Sequence, residues 1–302
     1  MESAARGQAD YALGHGEHEL ARLTHQGKAF LPFTRQLFEQ AGLGAGMRVL
    51  DVGSGAGDVC FLVNELVGPT GKVIGIDRAE QAVQWSRQRA RSMEMKNVEF
   101  LTCDANDFSS KEPFDAIVGR FVLMYCPNPV ETIRTLARLL RPGGLIVFQE
   151  FDMRYVRSHP LAPTFERATA WMRETFRATG TQVQLGTDLY SVFVTAGLPD
   201  PCLRMDVLLG GGQNFPGYEI LAGTIQSLLP VMEQLGIATT AEVNLPTLAK
   251  RMRDEVIAMN GIAFSPALIG GWSRKSDESQ GRFGGNRGPA DFDPGPSVLN
   301  CT

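Results

Sequence analysis

Between residues 49 and 148, short apolar runs alternate with longer stretches of helical period, and this rhythm restricts the fold more than any other feature. The apolar runs occupy residues 49–52, 73–77, 98–101, 114–118 and 145–148. Between them, residues 59–67, 80–95 and 130–140 carry apolar side chains at helical spacing. A run that is apolar at every position suits a strand buried on both faces. Helices between successive strands let those strands lie parallel. The expected fold class is α/β, with a parallel sheet covered on both sides.

The flanks differ from this centre. Residues 17–41 read as a helix with Leu20, Leu23, Phe30 and Leu31 on one face, and Pro32 should break or kink it. After Glu150, helices are expected over residues 164–179 and 188–196 and a strand over 204–209. Residues 218–259 read as mostly helical, broken at Pro230 and Pro246, with a last strand within 262–272. The remainder is rich in Gly, Pro, Asp, Ser and Arg. Such a segment buries too little to offset its ordering entropy, so disorder is expected. The organisation expected is an N-terminal helical lid (1–41), a core (42–210), a helical cap (211–260), a last core strand (261–273) and a disordered tail (274–302).

Composition removes several function classes. A net charge of −4 gives no general attraction to nucleic acid. No apolar run approaches the ~18 residues of a membrane span, and the N-terminus lacks the apolar stretch of a signal peptide. The five cysteines form no Cys-x-x-Cys pair and are odd in number, which fits neither a disulfide framework nor a zinc ribbon. His15, His18 and His25 match no helical zinc spacing, so no metal is expected. A cytoplasmic protein is expected, acting on a small molecule as a monomer or homodimer, away from membranes and nucleic acid.

The chemistry concentrates in Asp51-Val52-Gly53-Ser54-Gly55-Ala56-Gly57-Asp58, which follows the first strand and opens a helix. Glycines there let the backbone approach a ligand at a helix N-terminus. A dinucleotide fingerprint places glycine where Asp58 stands. Asp77 ends the second strand 20 residues after Gly57, where a carboxylate can accept from two ribose hydroxyls. Asp104 follows the third strand and can accept from an exocyclic amine.

These segments, with Phe114-Asp115-Ala116-Ile117-Val118 and Leu140-Arg141-Pro142-Gly143-Gly144, resemble the class I S-adenosylmethionine-dependent methyltransferases. The resemblance is to the small-molecule branch that holds the ubiquinone, menaquinone and natural-product methyltransferases. It implies a Rossmann-like, doubly wound, mostly parallel seven-stranded sheet and S-adenosyl-L-methionine as cofactor. The implied cofactor set is Asp51, Gly53, Ser54 and Gly55 at the amino-acid part, Asp77 and Arg78 around the ribose, and Asp104 and Ala105 at the adenine. Arg120 and Phe121 fall near the methionyl group or the transfer centre. Tyr11 and Gln26 belong to the lid. The implied activity is O- or C-methylation of a natural product or quinol. Glu150, Asp152 and His159 stand beyond strand five, where one of them is placed to orient or deprotonate an acceptor. Two rival enzyme classes stay open: a non-methylating member of the family performing an elimination or pericyclic step, and an NAD-dependent oxidoreductase.

Overall fold

The computed structural model describes residues 17–276, and the side chains from Gly27 onward except that of Lys28. The lid residue Tyr11, the side chains of Gln26, His18 and His25, and most of the expected tail therefore lie outside the described residues. The chain opens with α1 (Glu17–Ala41) and continues β1 (Arg48–Val52), α2 (Asp58–Val67), β2 (Lys72–Asp77), α3 (Glu80–Ser92), β3 (Val98–Thr102), β4 (Phe114–Arg120), α4 (Pro129–Arg138) and β5 (Leu140–Asp152). Then come β6 (Arg157–His159), α5 (Pro163–Ala178), α6 (Leu185–Thr195), β7 (Cys202–Asp206), β8 (Leu209–Gly210), α7 (Gly217–Gln234), α8 (Thr240–Val243), α9 (Leu245–Ala258), β9 (Ile262–Phe264) and β10 (Ala267–Arg274).

Seven strands form one sheet in the order β3-β2-β1-β4-β5-β10-β7. The pairs among β1 to β5 are parallel, and β10 runs antiparallel to both β5 and β7. This is the mostly parallel seven-stranded sheet that the rhythm and the resemblance imply. Its strands alternate sides with period two. Leu50, Val52, Ile74, Ile76, Ile117, Ile146 and Phe148 enter one core with α4 and α6. Val49, Val73, Ala116, Val118, Leu145 and Val147 enter the other, under α1, α2 and α3.

The prolines depart from expectation. α1 runs through Pro32 and α7 through Pro230, and both prolines are exposed while their helices bury other faces. Phe30, Leu37 and Phe38 on α1, and Leu228 and Met232 on α7, are fully or almost fully buried. Packing of those faces outweighs the hydrogen bond each proline withholds. Pro246 does not break a helix but sits in the first turn of α9, where no N–H is needed.

Three segments also divide differently. The expected strand over 204–209 splits into β7, on the edge of the large sheet, and β8, in a small sheet ordered β6-β9-β8. The expected last strand splits into β9 and β10 at Ser265-Pro266, where proline supplies no ladder N–H. Pro142-Gly143-Gly144 lies inside β5, at an irregularity in its pairing with β4, with Gly143 at φ 68°. The small sheet, α5, α7 and α9 pack together over one end of the large sheet, so this layer draws on more of the chain than residues 211–260.

Gly119 lies in the central strand β4, where an added Cβ would collide with the Phe148 ring. Gly119→Ala is expected to destabilise the fold by ~1–3 kcal/mol, read as a lower denaturation midpoint with unchanged slope.

Candidate functional site

The strand order reverses beside β1, because β2 and β4 flank it and the chain leaves in opposite directions. In such sheets a crevice opens beyond the carboxyl ends of the strands. A cavity stands there, bounded by the loops after β1, β2, β3 and β4 and roofed by α5, α7 and the β9–β10 connection.

The loop after β1 forms the floor. Gly53, Gly55 and Gly57 all have positive φ, at 66°, 49° and 86°. A side chain is strained in that region, and a Cβ on Gly53 would also strike Val122. The loop is tied down by the Ser54 N–H donating to the Ile76 carbonyl at 2.9 Å and by the Ser86 hydroxyl donating to the Gly55 carbonyl at 2.6 Å.

Asp77 stands across from this loop. Its Oδ2 accepts from the Gly55 N–H at 2.9 Å and its Oδ1 from the Ala79 N–H at 2.8 Å. Both oxygens are thus oriented, and each keeps a lone pair for a further donor. Asp104 uses Oδ1 for the Asn106 backbone and side-chain N–H groups at 2.9 and 3.1 Å. Asp77, Asp104, Ala105 and the exposed Arg78 all line the cavity, as do Gly53, Ser54 and Gly55.

Asp51 lies one layer behind the wall and is 1% exposed. Its Oδ2 accepts from the Cys60 thiol at 3.0 Å, while Oδ1 has no partner among the described residues. Burial pushes its pKa up to about 7, against the opposing pull of Cys60 and Arg120. The buried Ser54 hydroxyl, on the cavity wall, is unpartnered in the same way.

Arg120 ends β4 on the cavity wall. Burial lowers its pKa, and the fields of Asp58 and Asp51 oppose that. Among the described residues its guanidinium makes one hydrogen bond, to Thr34 Oγ1 at 3.3 Å, although a guanidinium carries five N–H donors. Asp58 Oδ1 pairs with Arg89 at 2.8 Å. Next to Arg120, Phe121 holds a φ of 57°, a strain of ~1–3 kcal/mol for a side chain of this size. Its ring stacks on Phe151 at 3.8 Å and meets Phe30 edge-on at 6.1 Å. All three rings line the cavity.

The three acceptor-side residues fall elsewhere. None of Glu150, Asp152 and His159 lines the cavity. His159 is exposed on β6, in the small sheet. Asp152 is clamped by Arg154 at 2.6 Å and by the Thr187 hydroxyl at 2.9 Å. Burial would raise its pKa, but these bonds outweigh burial and hold it below the ordinary value. Glu150 is fully buried and accepts from the Val122 and Leu123 N–H groups at 3.0 and 2.8 Å. The cavity wall instead contains Leu221, which the apolar face of the expected cap offers, and Phe151, Met153, Phe165, Met172, Phe176, Ile220 and Phe264, which the sequence does not single out. Their only signal is apolarity at helical or strand spacing, which core residues share. Among the described residues no cluster of His, Cys, Asp or Glu is placed to hold a metal ion, and no helix is long and apolar enough to cross a membrane.

Burial pushes Glu150 up to about 7 as well, against its backbone hydrogen bonds. Both acids hold protons in the folded chain that the unfolded chain has already released above pH ~4–4.5. Their contribution to stability is full below that range and is lost as pH rises toward 7. The unfolding free energy of the free protein is expected to fall across pH 4.5–7, and Glu150→Gln should flatten that slope in denaturant titrations at several pH values.

Comparison with known proteins agrees with this geometry. A methyltransferase domain model matches residues 43–197, just over half of the chain. A demethylmenaquinone methyltransferase of Lactococcus lactis is 33% identical over 124 residues, covering 41% of this chain and 47% of that protein. The Staphylococcus aureus protein of the same name is 31% identical over 137 residues, covering 45% and 54%. The chain thus spans about half the length of the curated relatives it matches. Among solved structures, the YcgJ protein of Bacillus subtilis superposes with a TM-score of 0.53 at 18% identity, covering 80% of this chain and 97% of that one. A phosphoethanolamine N-methyltransferase 2 of Haemonchus contortus, solved with phosphomonomethylethanolamine and S-adenosylhomocysteine, gives 0.52 at 14% identity, covering 84% and 53%. These two likenesses show the fold. With the domain match over residues 43–197, the chain belongs to the methyltransferase-domain family, in its class I S-adenosylmethionine-dependent form.

Proposed function

We propose that the protein transfers a methyl group from S-adenosylmethionine to a small, largely apolar acceptor. The observation that carries this reading is the continuity of one cavity, with a polar floor at the strand ends and an apolar roof. The cofactor fits the residues present. Asp77, oriented by two backbone N–H groups, is suited to ribose hydroxyls. Asp104 and Ala105 stand where an adenine edge would lie. The Gly53–Gly55 backbone leaves room for the amino-acid part. That part is a zwitterion, and the site offers both signs. Among the described residues Arg120 has unspent donors for a carboxylate, and Asp51, with one oxygen unpartnered behind the wall, would ionise in the field of an ammonium group. The bound cofactor supplies a methyl group already activated by a sulfonium. The chain's own work is then alignment and exclusion of water.

On the acceptor side, every residue that α5, α7 and the β9–β10 connection place on the wall is uncharged. Phe165, Met172, Phe176, Ile220, Leu221 and Phe264 make most of that surface. Such a wall favours an apolar or aromatic acceptor over a phosphorylated or carboxylated one, because a charge would lose its hydration without a partner. Oxygen or carbon as the methylated atom suits an acceptor of this kind. No disulfide links the described cysteines, which supports a reducing, cytoplasmic setting. Action as a monomer or homodimer on a free small molecule completes the reading.

Calorimetry tests the cofactor assignment first. S-adenosylhomocysteine is expected to bind at micromolar levels, roughly −8 kcal/mol. Asp77→Ala should weaken it by ~1.5–3 kcal/mol. Arg120→Gln should weaken S-adenosylhomocysteine by about tenfold but leave methylthioadenosine, which lacks the amino acid, unaffected. Binding of NAD with no response to S-adenosylhomocysteine would refute the assignment. A labelled-methyl assay over apolar phenols and quinols, with carboxylated analogues as controls, then tests the acceptor class.

A further inference from the structure

Glu150 is an unusual use of a carboxylate. It is fully buried, and no ion pair reaches it among the described residues, yet its oxygens point at backbone donors. Oε1 accepts from the Val122 and Leu123 N–H groups, and Oε2 lies 3.4 Å from the Met124 nitrogen. Those amides open a single turn, Leu123–Tyr125, just after β4. Burying a carboxyl group without a counter-ion costs its hydration, so a cap that apolar packing could replace is a poor account of it.

The neighbours of Glu150 grip the same segment. The Gln149 carbonyl accepts from the Phe121 N–H at 2.9 Å. The Phe151 ring stacks on Phe121. Three successive residues at the end of β5 therefore hold a segment whose first residue is in a strained, left-handed conformation. That segment is the cavity wall: Phe121, Val122, Tyr125, Cys126 and Pro127 all line it. Val122 also fills the space over Gly53, joining the wall to the glycine loop.

We propose that Glu150 is a positioning residue, whose carboxylate holds residues 121–127 in the shape that seats Phe121 and Val122 against the glycine loop. It acts through the wall and touches neither methyl donor nor acceptor. The inference takes over the assignment of this cavity to S-adenosylmethionine from the preceding section.

The test uses the full chain with Glu150→Ala, Glu150→Gln and Glu150→Asp. Amide hydrogen exchange is followed at Val122, Leu123 and Met124, and S-adenosylhomocysteine affinity by calorimetry. Glu150→Ala should speed exchange at these amides by about tenfold or more, leave β1 and β4 amides unchanged, and weaken binding by about tenfold. Glu150→Gln keeps an acceptor oxygen and should recover both to within about threefold. Glu150→Asp keeps the carboxyl group but withdraws it by one methylene, so it should loosen the same amides. It decides the matter if Glu150→Ala does not fold. A lower melting temperature with unchanged affinity and unchanged local exchange would reduce Glu150 to a stability cap and overturn the proposal. Equal damage from Gln and Ala would overturn it too. If the wild-type chain ignores S-adenosylhomocysteine, the cofactor reading fails, while local exchange still decides whether Glu150 holds the wall.

Discussion

The chain leaves β1 in one direction and β4 in the other, and the rest of the site depends on that divergence. Helices on opposite faces cannot meet over the strand ends, so a gap persists there without any side chain being removed to make it. The loops that border the gap then inherit the free backbone donors of strand ends and helix starts. Gly55 and Ala79 direct theirs at Asp77, which fixes a carboxylate at the lip before any ligand arrives. The roof has to come from elsewhere, and the chain supplies it from α5, α7 and the small sheet.

Charge is distributed in the site against the usual preference for pairing. Asp51 and Glu150 are removed from water and Arg120 is partly so, and none forms a close ion pair among the described residues. Burial accordingly raises the two acids and lowers the arginine. Groups kept in this condition are costly to the fold, and their siting on or behind the walls of one cavity ties the cost to recognition rather than to packing.

The large sheet was legible because its strands are buried on both sides, so their apolar runs need no alternation to be seen. The loop acids were legible because glycine spacing locates strand ends. What sequence position does not convey is the direction of a side chain. Glu150 and Asp152 were expected at the cavity because β5 ends there. Successive residues of a strand face opposite ways, and it is Gln149 and Phe151 that face α1, where Thr34 and Phe30 wait. Glu150 and Asp152 face the other side, toward the 122–124 turn and Thr187. His159 was misjudged for a different reason. The small sheet that carries it forms from three segments far apart in the chain, and no local pattern announces such a pairing. Pro32 and Pro230 misled because a proline on the solvent side of a helix costs less than the burial of the opposite face gains.

The position of β10 bears on how the chain is made. It is the last strand in sequence among those described, yet it lies inside the sheet, between β5 and β7. During synthesis, β1 to β5 can pair with one another once residue 152 has emerged, since all their partners but β10 lie within residues 48–152. β5 must then wait with a bare edge, and β7 with no sheet to join, until residue 274 has cleared the ribosome tunnel. An edge of Ile146, Val147, Phe148 and Phe151 is an adhesive one. Over that interval the nascent protein is most exposed to strand pairing with another copy, and chaperone binding would be concentrated there.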